Sequence, residues 1–175
     1  MKKTKMIAVT AVLAALYFVL SALLKIPVGG HITLDLGYIV LMVGAVYLGA
    51  IPAAFIGGIG VLVESALMSQ HGISPGWILM NVIVGLITGF VLHKTFRESR
   101  KKFVLSACIT VPLAVLLGVF VKMIIDCLIY QYAPTLKESI LIKIGPTAAA
   151  WIADTLVMLA IGMPVSLALK NKLKL

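Results

Sequence analysis

Asp35, Glu64, Asn81, Lys122, Asp126 and Asp154 interrupt otherwise apolar stretches of this chain, and their types set what chemistry they can do. A carboxylate, ammonium or amide taken out of water needs a partner, and inside a bilayer such a group faces the bundle interior, a cavity or a ligand. Lys122 and Asp126 stand four residues apart, on one face of a helix. Trp77 and Trp151 fall just before Asn81 and Asp154, so flat aromatic surface accompanies the polar groups. The chemistry on offer is recognition of a small polar molecule by hydrogen bonds, charge and stacking. Catalysis lacks its parts: no Walker sequence, HExxH or GxSxG occurs, and no nucleophile stands with a base. His31 and His71 fall in loops with no third ligand near either, so no metal site is expected and no cofactor is implied.

The elements that position these residues must be membrane helices. Of 175 residues, 62% are hydrophobic and 12% charged, with a mean hydropathy of +1.15. Soluble chains are about half apolar and about a quarter charged, so the surplus apolar surface here needs lipid as solvent. One crossing takes about 20 apolar residues. That ruler predicts an all-α membrane protein, a single domain of six transmembrane helices over about 6–24, 36–50, 51–68, 76–93, 103–131 and 147–169. The stretch from Leu36 to Met68 is too long for one crossing and divides at Gly49-Ala50-Ile51-Pro52. The second helix is short, so it must be tilted, buried among its neighbours, or begin near Leu34. Met1 to Lys5 leads straight into a stretch of spanning length, so no cleavable signal is expected.

The net charge of +9 sorts by segment. Eleven lysines and arginines fall before the first span, between the fourth and fifth, and after the sixth, whereas Lys25, Lys137 and Lys143 fall on the opposite side. This positive-inside bias places both termini in the cytoplasm of a multi-pass plasma-membrane protein. The charges are scattered over short tails and turns, so nucleic acid is not the expected partner. Glu64 lies twelve residues beyond Pro52, which places it about 18 Å from the cytoplasmic turn. By the same count all six polar residues fall in the external half, while the cytoplasmic half is almost free of them. That asymmetry is what an outward-opening pocket over a dry base leaves in a sequence.

Each feature also has a structural explanation. Lys122 and Asp126 form an i,i+4 pair that can satisfy itself, and a Trp at a helix end such as Trp77 is commonly an interfacial anchor. Trp151, a turn inside the sixth helix, is the better candidate for stacking. Cys108 and Cys127 read as small core residues. Ala8, Ala11, Ala15 and Ala22 form one stripe on the first helix, and Ala53, Ala54, Gly57, Gly58 and Gly60 enrich the third. Small residues let helices approach closely in lipid, and either stripe can pack the monomer or dock a partner.

The Ala-rich first helix, then Ile32-Thr33-Leu34-Asp35-Leu36-Gly37, Leu48-Gly49-Ala50-Ile51-Pro52-Ala53-Ala54-Phe55-Ile56-Gly57-Gly58-Ile59-Gly60 and Ser74-Pro75-Gly76-Trp77 resemble the substrate-binding S components of energy-coupling factor (ECF) transporters. The resemblance covers nearly the whole chain. It implies a high-affinity binding subunit for a vitamin or related micronutrient, without an ATPase of its own. The partners it implies are a transmembrane coupling protein, the T component, and two cytoplasmic ABC-type ATPases. The family's docking motif maps onto Ala11 and Ala15 with Ala8 beside them, its lid onto roughly Pro27 to Asp35, and its ligand contacts onto that loop and the outer ends of helices four to six. Glu64 stands where the family pattern leads one to expect Asp. Four acids against one lysine in the expected pocket disfavour a strongly anionic cargo. Riboflavin, pyridoxine-like compounds and pyrrolopyrimidine precursors all fit, and the Trp77 to Asn81 segment inclines the choice toward a flavin-like ring. The alternative is a ligand-free membrane scaffold or accessory protein whose polar groups only hold the bundle together.

Overall fold

The computed structural model describes residues 3–24, 26–29, 32–68 and 72–173. Helix α1 (Lys3–Leu23) lies at the periphery and buries only Ala14, Tyr17 and Ser21, a seam spaced three and four residues apart. A short antiparallel ribbon follows, β1 (Ile26–Gly29) with β2 (Ile32–Leu34), in which Ile26 pairs with Leu34 and Pro27 with Thr33. The segment expected as a loop is thus a hairpin, set into an otherwise helical bundle. Two strands alone are marginally stable, and β2 packs against α6.

Helix α2 (Gly37–Leu48) has 12 residues, a rise of about 18 Å, which is short of a hydrocarbon core. It is instead enclosed: Tyr38, Val40, Leu41, Met42, Ala45 and Val46 are all buried. Gly49 turns the chain with φ 91°, a conformation only glycine adopts readily, and α3 (Ala50–Met68) starts at once. Helix α4 (Pro75–Glu98) opens on the Ser74 cap, whose hydroxyl accepts from the Trp77 amide at 3.4 Å, with Pro75 in the first turn. Helix α5 (Arg100–Tyr130) runs 31 residues and ends at Gln131 with φ 42°.

The last span differs from expectation. Helix α6 (Leu136–Leu156) begins at Leu136 rather than near Thr147, because Thr135 caps it: its Oγ1 accepts from the Glu138 amide at 3.3 Å and donates to Glu138 Oε2 at 2.8 Å. Lys137 and Lys143, expected in a loop, therefore lie on a helix. A π-helical turn (Val157–Gly162) joins α6 to α7 (Met163–Leu173). Pro164 follows that turn and has no N–H to give the carbonyl four residues back, which favours the wider turn there.

Helices α3, α4 and α5 pack most closely, through small residues. A Cβ on Gly85 would come 2.7 Å from the Ala53 backbone, so only glycine allows α4 this near α3. The Ala53, Ala54, Gly57, Gly58 and Gly60 set is buried inside the monomer, whereas Ala8, Ala11 and Ala15 are exposed on the outer face of α1. Cys127 is buried, but Cys108 is exposed, which corrects its expected place in the core. Exposed Val12, Phe55, Phe90, Leu113 and Phe120 cover the bundle's flank, as suits a protein with lipid for solvent. Among the described residues five helical spans are long and apolar enough to cross a membrane, and α2 is a sixth, shorter apolar helix packed between them.

Candidate functional site

The loop before α2 and the start of α4 meet the later turns of α5 and α6 toward one end of the bundle. Here a cavity of about 330 Å³ opens between them, within the range of small-molecule sites. Asp35 stands on the loop, Tyr38 on α2, Trp77 and Met80 on α4, Val119, Lys122, Met123 and Asp126 on α5, and Lys143, Pro146, Thr147, Ala149, Ala150 and Asp154 on α6. One set of walls is aromatic and thioether, the other carries charge.

Asp126 is 5% exposed, and its two oxygens have different fates. Oδ2 accepts from Lys122 Nζ at 2.5 Å, whereas Oδ1 is buried with no hydrogen-bond partner. Gly76 makes room for it: a Cβ there would come 2.5 Å from Asp126 Oδ1 and 3.1 Å from the Lys122 carbonyl. Oδ1 is thus packed against Gly76 of α4, and a carboxylate oxygen buried there without a donor costs free energy. The Tyr38 hydroxyl is likewise buried without a hydrogen bond of standard geometry, with Asp154 and Asn81 as polar neighbours. Lys143 Nζ lies 3.6 Å from the centre of the Tyr132 ring, a cation–π contact at the mouth. Partial burial first, and the Asp126 carboxylate second, push the Tyr132 phenol above its ordinary value.

Not every polar residue expected at the site lines it. Asp35, Trp77, Lys122, Asp126 and Asp154 do; Glu64, Asn81 and Trp151 do not. Ser21 Oγ on α1 lies 2.5 Å from Glu64 Oε2 and 2.8 Å from Asp35 Oδ2, and the Gly37 amide donates to Asp35 Oδ1 at 2.8 Å. Glu64 is therefore a staple joining α3 to α1 and to the loop. Asn81 is a bracket: Tyr17 Oη donates to its Oδ1 and its Nδ2 donates to the Trp77 carbonyl, both at 3.0 Å. Trp151 Nε1 donates to the Pro112 carbonyl at 2.9 Å, tying α6 to α5.

The charge balance changes accordingly. Glu64 leaves the lining and Lys143 enters it, so three acids face two lysines, a formal −1 rather than the −3 of four acids against one lysine. Tyr38, Met80, Lys143 and Thr147 escaped the sequence reading. Tyr38 follows Asp35 by three residues, and the Thr135-x-x-Glu138 capping signature starts α6 early enough to bring Lys143 in; the two were the available signals. Lys25, His31 and His71 lie outside the described residues, and among the described residues no cluster of His, Cys, Asp or Glu could hold a metal. The arrangement can hold a near-neutral molecule by stacking at one wall and hydrogen bonds at the other.

Comparison with known proteins gives this geometry a family. UPF0397 proteins of two Streptococcus thermophilus strains, LMD-9 and CNRZ 1066, are each 30% identical to the chain over 116 residues, which is 66% of this chain and 62% of theirs. The chain thus spans less than two thirds of the length of these relatives. The family model described as "ECF-type riboflavin transporter, S component" matches residues 1–171. A bundle with five spans of membrane-crossing length among the described residues and a ligand-sized cavity at one end, matched by the family model over residues 1–171, places this chain in the family of S components of ECF-type riboflavin transporters.

Proposed function

We propose that this chain is the high-affinity substrate-binding subunit of an ECF transporter and that its cargo is riboflavin or a closely related flavin. The observation that carries the reading is the near-neutral cavity, lined by Tyr38, Trp77 and Met80 on one side and by Lys122, Asp126, Lys143 and Asp154 on the other. A flavin is a neutral planar ring with an imide N–H and a chain of hydroxyls. Trp77, Tyr38 and Met80 suit the ring; Asp35, Asp126 and Asp154 suit the donors. The clustering of basic residues at the opposite end supports an outward-facing cavity with both termini in the cytoplasm. The hairpin of β1 and β2 is the lid. Binding alone moves nothing across a membrane, so a coupling protein and two ABC-type ATPases would supply the work. Ala8, Ala11 and Ala15, exposed on α1, are the docking face.

The test is a flavin titration of the purified full chain, followed by quenching of flavin fluorescence, with mass spectrometry of copurifying small molecules beside it. Wild type is expected to bind at nanomolar levels. Asp126→Asn keeps the side chain's volume but replaces one acceptor, and should weaken binding by about ten- to a hundredfold, the loss of one charged hydrogen bond. Unchanged affinity would remove Asp126 from the site.

One observation favours the scaffold alternative: Glu64, Asn81 and Trp151 are occupied in holding helices together. A thermal-shift screen separates the two readings. A ligand at 100 times its dissociation constant stabilises by about 2.7 kcal/mol, and a flat response across the vitamins would favour a scaffold.

A further inference from the structure

A second cavity, of about 380 Å³, lies at the other end of the bundle, where α2, α4 and α7 finish. Val46, Tyr47, Phe96, Arg97 and Lys170 line it. Its uncharged polar groups are already used by the fold. Tyr47 Oη donates to the Ser166 carbonyl at 2.8 Å, and His93 Nδ1 meets the Val46 carbonyl at 2.8 Å. Lys170 Nζ donates to the Phe96 carbonyl at 2.5 Å and stands 4.4 Å from the centre of the Phe96 ring, which fixes the ammonium and leaves two of its protons unspent. No carboxylate pairs with Arg97 or Lys170 among the described residues, and the neighbouring acid Glu98 is held by Lys102 at 3.0 Å. Lys94, Arg100 and Lys101 add to the positive field around the mouth.

Two uncompensated cations, one a planar guanidinium fork and one an oriented ammonium, thus face a concave site with an apolar and aromatic floor. A lysine that merely capped the end of α4 would need neither the cavity nor Arg97. From this geometry we infer that the cavity is a binding site for a phosphate group, which bridges Arg97 on α4 and Lys170 on α7. Guanidinium and ammonium together match a phosphate's spread charge and several acceptor oxygens. The group can arrive as the headgroup of an acidic phospholipid or as a free phosphate ion. The site stands where the helices end, at headgroup level, and its floor offers apolar surface to a glycerol backbone. Occupancy would staple α7 to α4, elements otherwise joined here through the Lys170 bond.

The test uses the full chain in nanodiscs of pure phosphatidylcholine or of phosphatidylcholine with 30% phosphatidylglycerol, and reads thermal unfolding and the lipids retained on native mass spectrometry. Wild type should unfold at higher temperature with phosphatidylglycerol and retain it selectively. Arg97→Gln with Lys170→Met should weaken that preference about thirtyfold, roughly fivefold for each cation at the membrane surface. In pure phosphatidylcholine, 10 mM inorganic phosphate is the second arm: stabilisation of wild type but not of the double variant would assign the site to a free ion. Equal responses of wild type and double variant to both probes would overturn the proposal, as would no response of wild type to either. Should the double variant fail to fold, Arg97→Gln alone carries the test, since that side chain is exposed. Flavin binding at the far end serves as the folding control.

Discussion

Replacing Ser21 by Ala removes one hydroxyl from between two buried carboxylates, and the structure allows its cost to be worked out. Ser21 is fully buried, Glu64 is 2% exposed and Asp35 4%, so water does not replace the lost donor. The hydroxyl carries one proton and gives one full charge-assisted bond, about 1.5 to 3 kcal/mol. Its oxygen stands at 2.8 Å from Asp35 and 2.5 Å from Glu64, so its one proton serves one carboxylate at a time. A total near 3 kcal/mol is expected in this low-dielectric interior. Ser65→Ala is the matched control. Ser65 is equally buried and helical, but among the described residues its hydroxyl reaches only the Leu62 carbonyl, at 3.1 Å within its own helix. That bond is neutral and local, worth at most about 1 kcal/mol, and the gain in helix propensity is the same for both substitutions. The difference of about 2 kcal/mol corresponds to a melting-temperature gap of roughly 4 to 8 °C for a chain of this size. Differential scanning of the two variants in one detergent reads it directly. Melting temperatures within about 2 °C of each other would refute the staple, because the carboxylates would then be held without Ser21.

Further outcomes follow from single contacts. Gly76→Ala places a Cβ 2.5 Å from Asp126 Oδ1 and 3.1 Å from the Lys122 carbonyl, so it should shift the Asp126 side chain, press α4 slightly from α5 and weaken ligand binding at least tenfold; unchanged affinity would show that Asp126 yields without consequence for the site. Trp151→Phe keeps an aromatic ring but loses the donor to Pro112, so the melting temperature should fall by about 1 kcal/mol's worth with ligand affinity nearly preserved. The reverse pattern would return Trp151 to the ligand. Ala11→Trp with Ala15→Trp fills an exposed face of α1 and should abolish uptake in cells carrying the partner proteins while binding by the isolated chain stays normal. Loss of binding as well would mean that this face supports the monomer.

Much of the bundle was legible because its solvent writes directly into composition. Apolar length located the spans, and Gly49 marked the break between α2 and α3. What the apolar ruler could not read was the start of α6. Leu136 to Gly145 mixes Lys137, Glu138 and Lys143 with isoleucines and leucines, and only the Thr135 cap reveals the helix there. The hairpin was also hidden, since its seven residues alternate too briefly to outweigh Pro27 and Gly29. Which small-residue stripe faces outward was open in the sequence and became clear only from packing: α3 is enclosed by α1 and α4, while α1 has neighbours on one seam.

The polar residues carry the sharper lesson. Depth placed Asp35, Glu64, Asn81, Asp126 and Asp154 at one end of the bundle, but depth is one coordinate and a site needs a second, the azimuth around each helix. Glu64 and Asn81 turn toward α1, where Ser21 and Tyr17 wait for them; Asp126 and Asp154 turn toward the cavity. The partners on α1 are ordinary-looking residues whose spacing, Tyr17 to Ser21, is one helical turn. That Tyr and Ser pair, complementary to an amide and a carboxylate across from it, is the feature that separates the staple from the pocket. The two sets also touch. Asp35 accepts from Ser21 and Gly37 and still lines the cavity, so the bonds that hold α1 to α3 also hold the wall on which a ligand would rest. Stability of the bundle and geometry of the site therefore meet at one carboxylate. A substitution at Ser21 should raise the dissociation rate of bound ligand even though that residue lies outside the cavity lining.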